Sequence, residues 1–160
     1  MSRYLRPRVP GASVFFTVTL ADRSSRLLVD QVDALREAVR ATMAERPFRI
    51  DAWVVLPEHL HALWTLREGD ADYSVRWRLI KTRLSRGLPV GPLRASHEAR
   101  KERGIWQRRF WERHIRDEND FRTHIRYCWF NPLKHGLVER PEDWPYSSVH
   151  RDNRQGKYGW

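Results

Sequence analysis

Two strand-like runs separated by nothing but Pro57-Glu58 constrain this chain more than any other feature. Residues 48–56 (FRIDAWVVL) and 59–66 (HLHALWTL) are rich in β-branched and aromatic side chains, and each has the length of an ordinary strand. So short a connection joins antiparallel neighbours, because a parallel pair needs a crossover of about a dozen residues. The two runs therefore read as a hairpin placed centrally in a sheet. A further strand covers residues 13–20 (SVFFTVTL).

Elsewhere the apolar spacing changes to that of a helix. Within residues 30–45, Val32, Leu35, Val39 and Met43 form one stripe, and Pro47 ends the segment. Within 73–86, Trp77, Ile80 and Leu84 share a face, with Arg76 and Arg83 on its flank. Residues 87–104 are rich in Pro, Gly and basic side chains and read as a mobile loop. A short strand lies within 106–115. Asp117 is a good N-cap for a third helix over 118–130, which Pro132 stops because the residue before a proline avoids helical backbone. The tail from Lys134 reads as a compact irregular cover. The order β-α-β-β-α followed by a further helix predicts an α+β fold, a ferredoxin-like antiparallel sheet with helices packed on one face. Residues 1–160 are expected to form a single domain.

Composition narrows the function. With 160 residues the chain supports a real core but not a (β/α)8 barrel, which takes about 200 or more. No stretch approaches the roughly 18 apolar residues of a membrane span, and the N-terminus lacks the apolar core of a signal peptide. The single Cys128 cannot form an internal disulfide, which agrees with a reducing cytoplasm. Thirty Lys and Arg against twenty Asp and Glu give a net charge of +10, which draws polyanions and favours nucleic acid as partner. Arginine greatly outnumbers lysine, and its planar fork matches phosphate oxygens and base edges. A cytoplasmic, nucleoid-associated protein is the expectation.

In His59-Leu60-His61 alternate side chains point to opposite faces, so the two imidazoles project together. They suit one divalent ion; equally, the pattern describes two partly exposed histidines with no ligand. On the third helix, at about 100° per residue, His124, Tyr127 and Asn131 fall within a sector of roughly 60°. Asn131 would add a neutral carbonyl oxygen, suited to Mg²⁺ or Mn²⁺ beside two imidazoles. The alternative is that Tyr127 packs at the sheet edge and Asn131 caps the helix.

Several ordered blocks resemble a known family. PGASVFFTVTLADR, DAWVVLPEHLHALWTLREGDADYSVRWRLIK, GIWQRRFWERHIRDENDFRTHIRYCWFNPLKHGLV and DWPYSSVHRD are similar to the REP-associated tyrosine transposases, over about residues 4–156. These are single-tyrosine relatives of the HUH (His-hydrophobic-His) transposases. The resemblance implies an HUH transposase-like fold, with His59, His61 and Asn131 as ligands to Mg²⁺ or Mn²⁺ and Tyr127 as nucleophile. Asparagine in place of the glutamine of insertion-sequence relatives is usual in this branch. Cys128-Trp129-Phe130 is bulkier than expected between nucleophile and ligand.

The implied activity is nicking and strand transfer on single-stranded DNA, at the foot of a REP-like palindromic hairpin, through a 5′-phosphotyrosine. The branch implies a monomer, whereas related insertion-sequence enzymes are dimers. His124 is a candidate base or phosphate contact, or simply a solvated helix residue. Arg76, Arg83, Arg108 and Arg109 are candidate DNA-backbone contacts, and Arg3, Arg6, Arg8 and the 87–104 loop are candidates to close over DNA. A non-catalytic hairpin-binding regulator would keep the basic surface without needing His59, His61 and Tyr127 together. An RNA-recognition module would need a Gly-aromatic signature that the chain lacks.

Overall fold

Alternation along the strands assigns each side chain to one of two faces, and both faces prove to be covered. The computed structural model describes residues 5–88 and 104–156. Strands β1 (Ser13–Thr19), β2 (Arg49–Val55), β3 (His59–Thr65) and β4 (Trp111–His114) form one antiparallel sheet in the order β2-β3-β1-β4. The hairpin across Pro57-Glu58 is present, with Val55 opposite Leu60 and Arg49 opposite Thr65. Only its second strand is central; β2 lies at the sheet edge, contrary to expectation.

The C-terminal tail takes up that edge. Val55 N–H donates to the Tyr146 carbonyl and Ser148 N–H to that of Trp53, both at 2.8 Å. The Trp144 indole donates to the Val55 carbonyl at 2.8 Å, and Arg151 donates to the carbonyls of Ile50 and Asp51. Edge groups that would otherwise template pairing with another chain are thereby satisfied. The tail is more regular than predicted, with a 3₁₀ turn (Pro141–Asp143) and a short helix (Val149–Arg154).

Register places Val14, Phe16 and Val18 beside Trp64, Ala62 and Leu60 on one face. Helices α1 (Leu27–Asp30), α2 (Val32–Glu45) and α3 (Tyr73–Ser85) precede and follow the hairpin in the chain. Trp77 of α3 stacks on Trp64 at 4.3 Å between ring centres, and α2 packs beside α3. The opposite face carries Phe15, Thr17, His61 and Leu63, and here α4 (Glu118–Lys134) packs, with His124 and Tyr127 against Phe15. Helices on both faces replace the expected one-sided layer. The physical reason is that β3 has no solvated side: His61 and Leu63 are as buried as Leu60 and Ala62. None of the described helices is long and apolar enough to cross a membrane.

The predicted caps and stops differ in their success. Asp117 caps α4, its carboxylate accepting from Asp120 N–H at 2.8 Å. Pro132 does not end the helix, which runs on to Lys134. A proline in the last turn forfeits only its own bond to the carbonyl four residues back, here Cys128. Termination falls instead to Gly136 at φ +69°, whose N–H donates to the Leu133 carbonyl while Leu137 N–H donates to that of Pro132. That extension keeps Asn131, Lys134 and His135 in helical register with Tyr127.

Arg76 must be withdrawn from the DNA-contacting set. It is 3% exposed, and its guanidinium donates to the carbonyls of Arg46, Pro47 and Asp72 and to both Asp70 carboxylate oxygens. It ties the end of α2 to the start of α3. Hydrogen bonds from Arg76 hold the Asp70 carboxyl below the ordinary range, burial opposing. Arg76→Met should lower the unfolding free energy in urea by about 2–3 kcal/mol, through carbonyls and a carboxylate left unpaired. Because Asp70 is depressed in the folded state, its contribution is complete above the ordinary carboxylate range and fades as pH falls through its lowered value. The stability difference between wild type and Arg76→Met should therefore shrink on acidification.

Candidate active site

His59 and His61 owe their shared direction to the two-residue period of β3, and their burial to α4 above them. They are 6% and 4% exposed, with ring centres 5.0 Å apart. Each ring has its Nδ1 engaged: His61 with the Thr17 hydroxyl at 2.9 Å, and His59 with the Glu58 carboxylate. Such partners fix a ligating imidazole's orientation and leave Nε2 as the nitrogen available to a metal. Burial first, then repulsion between a charge on this ring and those that His59, His135 and Lys134 can carry, pushes His61 down to about 3. Burial also lowers His59, although Glu58 pulls the other way. Both rings are therefore neutral at physiological pH, the form that binds a cation.

Helix α4 supplies the rest. The Tyr127 ring meets His61 edge-on at 5.1 Å, and the His135 ring meets His59 at 5.3 Å. Asn131 is one turn after Tyr127 and one turn before His135, and thus lies between these two contacts. It is 1% exposed, and neither its Oδ1 nor its Nδ2 has a hydrogen-bond partner. A buried amide left this way costs about 1–3 kcal/mol, so the site calls for something to bind it. Other buried unpartnered atoms lie on Trp64, Trp77, Arg113 and His114, none of which has a carbonyl oxygen to offer a cation. Among the described residues no three His, Cys, Asp or Glu side chains gather into a metal site, so an amide oxygen is the natural complement to two imidazoles. His59, His61 and Asn131 are the side chains here that could hold a divalent cation such as Mg²⁺ or Mn²⁺.

The other predicted residues divide. His124 lies against Phe15 at 4.8 Å, and its Nδ1 donates to the Asp120 carbonyl at 2.8 Å, with the Asp120 carboxylate 3.3 Å away. Arg83 donates to the Thr42 hydroxyl and pairs with Glu45, fastening α3 to α2 on the far side of the sheet. Arg108 and Arg109 are exposed on the approach to β4. Arg108 joins Arg6, Arg78, Lys81 and Arg86 around a cavity of about 640 Å³ above Phe110, lined by no carboxylate among the described residues. Arg6 pairs with Glu112 and lies 3.8 Å over the Phe110 ring, whereas Arg8 is exposed. Arg3 and residues 89–103 of the predicted loop lie outside the described residues.

Four side chains at the site escaped the sequence reading: Thr17, Glu58, Lys134 and His135. The last two sit beyond the point where Pro132 was expected to end α4. Their spacing of seven and eight from Tyr127 was the available signal.

No family model matches the chain. A REP-associated tyrosine transposase of Escherichia coli K12 is 46% identical over 158 residues, covering 99% of this chain and 88% of the relative. A Haemophilus influenzae protein named "Putative REP-associated tyrosine transposase" is 43% identical over 154 residues, covering 95% and 88%. A solved REP-associated tyrosine transposase, bound to a REP hairpin, superposes with a TM-score of 0.86 at 46% identity, over 99% of this chain and 89% of that one. Fold and relatives together define a transposase of the HUH single-tyrosine type. The chain belongs to the REP-associated tyrosine transposases.

A substitution at Asn131 separates a metal ligand from a structural amide. In metal-free buffer, Asn131→Leu should match or exceed wild-type stability by about 1 kcal/mol, since an orphaned amide is replaced by an apolar group of similar size. Saturating Mn²⁺ should raise the melting temperature of wild type and leave that of the variant unchanged.

Proposed function

We propose that this chain is a metal-dependent single-stranded DNA endonuclease and strand transferase that acts at REP-type palindromic hairpins through a 5′-phosphotyrosine. The observation that carries this reading is the Tyr127 ring set against His61, with the buried, unpartnered Asn131 amide one turn further along the same helix. The hairpin substrate is supported by the relative solved with a REP hairpin, 46% identical to this chain.

His59, His61 and Asn131 would hold Mg²⁺ or Mn²⁺. When bound, the ion supplies Lewis-acid stabilisation of charge on the oxygens of the scissile phosphate. The Tyr127 hydroxyl attacks phosphorus; the bond from its oxygen to phosphorus forms, and the bond to the 3′-oxygen breaks. The 3′-oxygen leaves as a hydroxyl, and the 5′-phosphate stays on Tyr127. Attack by that hydroxyl, or by one from another strand, reverses the step and needs no nucleotide cofactor. His124, one turn before Tyr127 and held through Nδ1 at the Asp120 carbonyl, is placed to act as base or to contact phosphate. The protein acts as a monomer in this reading.

Arg108, Arg109 and the cationic cavity beside them are the DNA-backbone contacts in this scheme. Arg108→Ala and Arg109→Ala should each weaken hairpin binding across sequences and reduce the slope of log affinity against log salt by about one.

Incubating a single-stranded hairpin oligonucleotide with the protein and Mn²⁺ or Mg²⁺ should give a covalent protein–DNA adduct. Tyr127→Phe should abolish it, and chelation or His61→Ala should slow it by about 100-fold or more. A wild-type protein that binds hairpins tightly yet forms no adduct with either ion would instead be a non-catalytic regulator.

A further inference from the structure

Lys134, at the exposed end of α4, is ordinarily explained as a charge complementing the helix C-terminus. Its side chain lies elsewhere. The ammonium is 3.4 Å from the Tyr127 hydroxyl oxygen and 5.1 Å from the centre of that ring. Seven residues make about two turns, and helical side chains lean toward the N-terminus, so Lys134 lies back over the Tyr127 stripe. No carboxylate pairs with it among the described residues. The arrangement depends on α4 continuing through Pro132 and ending at Gly136; a helix stopped at residue 130 would not carry Lys134 along this stripe.

We propose that Lys134 is a catalytic residue of the strand-transfer reaction: a fixed cation that hydrogen-bonds the Tyr127 oxygen and stabilises it as nucleophile and as leaving group. The inference rests on the reading of Tyr127 as nucleophile. In cleavage, the phenol oxygen forms its bond to phosphorus while its proton departs to a base or to water. The ammonium orients that oxygen and offsets charge developing on it. In the reverse step a 3′-hydroxyl attacks phosphorus, the bond from phosphorus to the Tyr127 oxygen breaks, and the electron pair stays on the phenolate. Lys134 donates a charge-assisted hydrogen bond to that phenolate. The proton given up by the 3′-hydroxyl finally returns to the phenolate through solvent, so Lys134 stays an ammonium and no oxidant, reductant or further group is consumed.

A residue that acts on the oxygen common to both directions must change both rates alike and leave the balance between cleaved and joined DNA unchanged. A backbone-phosphate contact would instead change affinity. The test compares wild type with Lys134→Met and Lys134→Arg on a hairpin oligonucleotide that wild type cleaves, with Mn²⁺ and DNA saturating. Single-turnover adduct formation, rejoining of the adduct to a 3′-hydroxyl oligonucleotide, hairpin Kd and melting temperature are measured. Lys134→Met should slow adduct formation and rejoining equally, by about 100-fold, with Kd within about twofold and melting temperature unchanged. Lys134→Arg, which keeps the charge and donor, should recover most of both rates. Rates within about threefold of wild type in Lys134→Met, or a loss confined to Kd, would overturn the inference while leaving Tyr127 as nucleophile. A wild-type protein that forms no adduct would overturn both readings.

Discussion

The two halves of the site meet on the phenyl ring of Phe15. This side chain, on the face of β1 that α4 covers, stacks on His61 at 5.4 Å and receives the edge of Tyr127 at 5.6 Å and the ring of His124 at 4.8 Å. Histidines from a strand and a tyrosine from a helix far along the chain thereby share one apolar support. Aromatic contacts of this kind add about 0.5–1.5 kcal/mol each beyond burial, and they also set orientation. Rigid elements hold a reactive group more closely than loops do, and nothing in this contact is a loop.

The two faces of the sheet divide the labour. Trp64, Trp77, Phe48 and Phe16 make a dense aromatic block on the side of α2 and α3, where no titratable group is asked to do chemistry. On the α4 side the interior holds two neutral imidazoles and an unpartnered amide. These polar groups lower stability when nothing is bound, and the opposite core offsets that cost. The Asn131 amide is a buried unpartnered group that a bound cation could satisfy.

Strand and helix periods made much of this legible in advance. Alternation over residues 59–66 paired the histidines, and helical spacing set Tyr127 in line with Asn131. What escaped depended on tertiary contacts. The edge position of β2 follows from the tail's hydrogen bonds, which no local pattern announces. Arg76 read as a surface charge because three of its five hydrogen bonds go to main-chain carbonyls, two of them in the α2–β2 connection, and carbonyls leave no mark in a sequence. Pro132 misled for a different reason. A proline near the end of a helix removes one bond and need not end it, so the reading stopped short of Lys134 and His135.

The strap over β2 has a consequence for how the chain is made. The edge groups of Trp53 and Val55 wait for Tyr146 and Ser148, and Trp129 of α4 waits for Asp152, whose carboxylate accepts its indole N–H at 3.1 Å. During synthesis the hairpin emerges early, yet its outer strand stays open until about eighty further residues have left the ribosome. A gene copy truncated shortly before that point would yield a chain with its histidines and tyrosine intact and an unprotected strand edge. Such a truncated chain would therefore be prone to pair through β2 with other chains rather than stay monomeric.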